Sequence, residues 1–96
     1  MNAWFEALGR RFKEAARKEG VEIAQPELDA QVADEVLELA RVAAHSKERR
    51  FAPLASFMAG VAVERLRQAG ALSPAAEAAY IRAVHQAVEA EPETTV

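Results

Sequence analysis

Cysteine is absent from this chain of 96 residues. Disulfides, thiolate nucleophiles and cysteine-based zinc or iron–sulfur centres are excluded together. Imidazole is nearly as scarce, with His45 and His85 the only two. Serine occurs only as Ser46, Ser56 and Ser73, and Ser73 is explained as a helix cap, so a nucleophile–base pair has little to draw on. A di-iron bundle requires Glu-x-x-His on facing helices, but Val42 stands three residues before His45 and Arg82 three before His85. His45 with Glu48 and His85 with Glu89 are isolated pairs, whereas structural metal sites use three or four ligands. No apolar run approaches the ~20 residues that span a bilayer. The N-terminal stretch, Met1 to Ala15, mixes acid and base into its apolar pattern, unlike a secretory signal. A net charge of −3 supplies no positive field for a phosphate backbone. The expectation is a cytoplasmic protein without enzymatic activity, metal or cofactor, and with no nucleic-acid or membrane partner.

What the chain does have is alanine, about a quarter of all residues against under a tenth in ordinary usage. Alanine favours helix and close helix–helix approach while supplying little core volume. No alternating apolar run indicates a strand. Apolar residues instead recur at helical spacing in four segments, expected at about 2–19, 26–45, 53–69 and 74–90. The first carries Trp4, Phe5, Leu8 and Phe12 on one stripe, expected to pack in the core, and ends at Gly20. Pro26 is expected to open the second. The third carries Leu54, Phe57, Met58 and Val61, expected to pack, and stops at Gly70. Ser73-Pro74 opens the fourth as a cap followed by a first-turn proline. Residues 91–96 form a polar tail expected to fray. Short connections favour antiparallel neighbours, so the predicted fold is all-α, a compact antiparallel four-helix bundle in a single domain, 1–96. Acids such as Asp34, Glu35, Glu38, Glu89 and Glu91 read as solvated helix faces with intrahelical ion pairs.

One stretch stands out, AHSKERRFAPL from Ala44 to Leu54. If Pro53 begins the third helix, Phe51 or Ala52 occupies the cap position, and neither accepts a bond from the first-turn N–H groups. Free donors at a positive helix end, with His45, Lys47, Arg49 and Arg50 nearby, are the ingredients of an anion site. His45, Arg49, Arg50, Phe51, Pro53 and Leu54 are therefore the candidate anion- or partner-binding residues. The competing explanation is local: His45 and Lys47 answer the negative C-terminal end of the second helix, and Arg49 or Arg50 pairs with a nearby acid.

The same region resembles a family. Leu37, Leu39, Ala44-His45, Arg49, Ala52-Pro53-Leu54, Phe57 and Gly60, together with Trp4 and Leu8, look like the pattern of a small all-helical domain of unknown activity. That domain occurs alone or fused to molybdenum cofactor guanylyltransferase. Ser46 and Arg50 depart from the pattern, which often has Gly and Pro there. The resemblance brings no catalytic residues. It implies an accessory or protein-interaction module linked to molybdenum cofactor maturation, with a guanylyltransferase or molybdenum enzyme as partner. Two other roles fit the residues: binding of a phosphorylated ligand such as a pterin or nucleotide at the third helix, or a purely structural homodimer through the alanine-lined face of the second or fourth helix.

Overall fold

The structure, a computed structural model, describes residues 2–70 and 73–91. It contains four helices, α1 (Ala3–Lys18), α2 (Ala30–Ser46), α3 (Phe51–Gln68) and α4 (Pro74–Ala90), and no strand among the described residues. The all-α class expected from the apolar spacing holds. Two compact units divide the chain, Met1–Ala30 and Gln31–Val96. Of the tail expected at 91–96, only Glu91 lies within the described residues.

In the first unit, Asn2 caps α1, its side-chain oxygen accepting the Phe5 N–H at 3.2 Å. At the other end Gly20 takes φ +83. Its N–H reaches the Arg17 carbonyl at 2.9 Å, and the Val21 N–H reaches that of Ala16 at 2.9 Å. These are the paired bonds of a Schellman stop, open to glycine because no Cβ resists the left-handed backbone. The chain from Val21 onward then turns back along α1 without becoming helical. Gln25 donates to the Glu6 carbonyl at 3.5 Å, and a Cβ built on Gly9 would lie 2.5 Å from the Pro26 carbonyl oxygen. This return corrects the expected start of the second helix. Residues 26–29 remain non-helical, with the Pro26 carbonyl against α1, and helix begins at Ala30. Trp4 and Phe12, expected in a core, are 66% and 55% exposed. The Trp4 ring meets Phe5 edge-on, with centroids 4.9 Å apart.

In the second unit, Arg67 near the end of α3 grips Glu77 near the start of α4 in a two-pronged bond of 2.6 and 2.9 Å. These two helices therefore run antiparallel. Glu35 of α2 meets Arg82 and His85 of α4, and Arg41 meets Glu89 further along both, so α2 and α4 run parallel with α3 reversed. Val32, Leu39, Val63 and Ile81 form the buried apolar cluster, with Val36, Ala55 and Ala59 against it. Ser73 caps α4 as the sequence suggests, accepting the Ala76 N–H at 3.0 Å.

Glu35 departs from the solvated face expected of it. Its carboxylate lies 2.7 Å from His85 Nε2 and 2.7 Å from the Arg82 guanidinium, and its side chain is only 14% exposed. The His85 bond first, then the Arg82 bond, hold its carboxyl below the ordinary value against the opposing effect of desolvation. A carboxylate with a depressed folded-state pKa contributes stability above its unfolded pKa, which is lost as pH falls through the folded one.

Two outcomes follow from these contacts. Replacing Glu35 with Gln should lower the melting temperature at neutral pH, and the gap to the native chain should close on acidification below about pH 4. A gap that stays constant from neutral to acid pH would show that Glu35 ionisation does not bind α2 to α4. Gly9→Ala adds a methyl against a backbone carbonyl, so despite alanine's better helix propensity of about 1 kcal/mol it should cost about 1–2 kcal/mol net. Amide hydrogen exchange should quicken in residues 2–30, and unchanged exchange there would show that the return segment does not need the glycine.

Candidate functional site

The stretch around Pro53 takes a different form from the one its sequence suggests. The α3 helix begins at Phe51, so Pro53 sits in the interior of its first turn and Arg50 at the cap, with φ −69 and ψ −12 and no side-chain cap bond. The Phe51 N–H donates to the Glu48 carbonyl at 3.0 Å and the Ala52 N–H to that of Arg49 at 3.1 Å. Proline has no N–H to offer. The expected set of open first-turn amides is thus corrected: a tight turn through 47–50 uses them internally, and the expected loop at 46–52 is shortened by the early helix start.

The side chains of the predicted site divide by chemistry. His45, Arg49 and Arg50 are exposed, and Arg50 lies 3.2 Å from Glu48 across two residues. An ion pair this exposed contributes little to stability. Phe51 and Leu54 instead join a larger apolar surface. Leu54 is 62% exposed, Phe57 74% and Met58 71%, with Phe51 and Val61 at 36% each. The expectation that the large residues of α3 pack inward is overturned. The reason lies in how α3 sorts its side chains by size. Ala55, Ala59 and Val63 turn toward the buried cluster, which leaves Phe51, Leu54, Met58 and Val61 on an exposed flank of α3.

That face and the flank of α4 enclose a continuous apolar groove. A hollow of about 290 Å³ lies between Met58, Ala59 and Ala62 on one side and Tyr80, Ile81 and Val84 on the other. Toward the start of α3 a hollow of about 590 Å³ includes Phe51, Leu54 and Val88, with Lys47, Glu89 and Glu91 as its polar lining. Toward its end another of about 590 Å³ includes Phe57, Val61, Leu66 and Arg65. Met58 borders all of them.

A signal for this groove exists in the sequence. From Phe51 to Val63 no residue is charged, so α3 is apolar on every side there. A helix of that kind is ordinarily covered on every side. Small and large residues also alternate in separate stripes, and the large ones, Phe51, Leu54, Met58 and Val61, step by three and four as residues of a helix–helix seam do.

Among the described residues no group of three or more histidines or acids is placed to hold a metal, and no helix is long and apolar enough to cross a membrane. The fold thus defines a small all-helical domain whose most distinctive surface is an uncovered apolar groove. The chain belongs to the DUF6457 family, a domain of unknown function, whose pattern matches residues 1–95. No curated protein and no solved structure matches it.

Exposure of the α3 face makes a direct prediction for stability in dilute solution. Phe57→Ser and Met58→Ser should each change the unfolding free energy by no more than about 0.5 kcal/mol, whereas Ile81→Ala should cost about 2–4 kcal/mol. Urea denaturation distinguishes these outcomes, and a loss at Phe57 equal to that at Ile81 would place the α3 face inside the fold.

Proposed function

We propose that this chain is a non-enzymatic interaction module that seats an apolar partner helix in the groove between α3 and α4. The observation that supports the reading is the solvent exposure of Leu54, Phe57 and Met58 beside an inward face of alanines. Contiguous apolar patches of several hundred Å² are uncommon on chains with nothing to bind. The seam-like spacing along α3 matches the way amphipathic helices enter grooves, through anchors at i, i+3, i+4 and i+7. Of the six residues expected to make the site, Phe51 and Leu54 belong to this groove, while His45, Arg49 and Arg50 stand near one end as a polar margin. The resemblance to domains found with molybdenum cofactor guanylyltransferase suggests that enzyme, or a molybdenum enzyme, as the partner, with a cytoplasmic role. A phosphorylated ligand at the start of α3 is the weaker reading because the amides that would hold it already have acceptors.

Two measurements test the module. The dye ANS should bind the folded dilute chain, and Met58→Glu should reduce that binding severalfold while leaving the helical circular dichroism unchanged. Calorimetry with purified molybdenum cofactor guanylyltransferase should show binding that the same substitution weakens by at least about tenfold, as expected of a central anchor. No dye binding by the native chain would remove the groove reading. Dye binding without calorimetric heat would remove the guanylyltransferase from it.

A further inference from the structure

We infer that the α3–α4 groove is self-complementary, and that in the isolated chain its occupant is a second copy bound about a two-fold axis that passes between Met58 and Val61 of α3. This rests on the groove being an interaction surface and names what fills it.

The first support is area. The exposed parts of Phe51, Leu54, Phe57, Met58, Tyr80 and Val84 amount to roughly 600 Å², given ~150–250 Å² for a whole aromatic side chain, and a standard interface uses about 800 Å² per partner. Val61 and Val88 extend the same face. One copy of this surface against another reaches the size of a stable complex.

The second support is the order of residues along α3. An isologous contact requires that what lies on one side of the axis suit what lies on the other. Leu54 and Arg65 each lie about 8 Å along the helix from the midpoint of Ala59 and Gly60, given 1.5 Å per residue. Reversing a second α3 about that midpoint therefore sets Met58 against Val61 of the second copy and Leu54 against the aliphatic stem of its Arg65. The Arg65 guanidinium then projects toward the end of the groove that Glu89 and Glu91 line. Neither Arg65 nor Glu91 has an ion pair among the described residues, so each has charge to offer across the axis. Any other protein that uses this face then has to displace the second copy.

The test is sedimentation equilibrium of the full chain from about 1 µM to about 1 mM, a range spanning weak to firm association. The native chain should form a reversible dimer. Met58→Glu should raise the dissociation constant at least about tenfold, and Arg65→Glu should raise it by a smaller factor. Arg65→Glu combined with Glu91→Arg should bring association back toward the native value, because both ends of each cross-axis pair are exchanged. Circular dichroism on each variant confirms that the helices persist. A chain monomeric up to the top of this range overturns the inference, as does a dimer indifferent to Met58→Glu. Failure of the combined exchange to improve on Arg65→Glu overturns the two-fold orientation. A native monomer that still binds ANS through Met58 leaves the groove reading standing and removes only self-pairing; a monomer that binds no dye removes both.

Discussion

The second unit depends on the small inward face of α3. Ala55 and Ala59 are the α3 residues that pack against the buried apolar cluster beside Val63, and that cluster has only Val32, Leu39, Val63 and Ile81 as its larger members. A core this small cannot also accommodate two phenylalanines, a methionine and a leucine. The bulky side chains of α3 are left outside that core, and with the flank of α4 they line the groove. A leucine in place of Ala55 or Ala59 would push the backbones apart and disturb both surfaces together.

Polar contacts set the register that this modest core leaves underdetermined. Dispersion and burial among alanines discriminate poorly between neighbouring alignments, because the side chains are nearly alike. The Arg67–Glu77 pair, with Glu77 only 3% exposed, ties the end of α3 to the start of α4. Glu35 binds Arg82 and His85 at the middle of the α2–α4 contact, and Arg41 with Glu89 repeats the link nearer its end. Charged groups are costly to bury unpaired, so a slipped alignment would strand Glu77 or Glu35. Their value here is specificity of alignment more than net stabilisation.

Much of the helical content was legible because its signals are local. Ser73 caps a helix, Gly20 and Gly70 end two others, and Pro74 opens one, each acting through the backbone within a turn of itself. Where the reading from sequence slipped, a distant contact or a neighbouring carbonyl decided the outcome. Pro26 could have begun α2, but its carbonyl lies against Gly9 and the segment stays non-helical up to Ala30. Pro53 could have begun α3, but the carbonyls of Glu48 and Arg49 start the helix two residues earlier and take up the donors that made an anion site attractive. Two of the six candidate residues take a new setting. Phe51 and Leu54 remain on an accessible surface, now as members of an apolar groove.

By itself, the sequence determined an all-helical chain without cysteine, since composition and capping act without reference to distant residues. Only the tertiary structure decided which side of α3 faces inward. Both sides are apolar, and hydrophobicity alone does not distinguish an alanine stripe from a stripe of leucine, phenylalanine and methionine. Volume makes the distinction, and volume matters only once another helix is pressed against one side or the other.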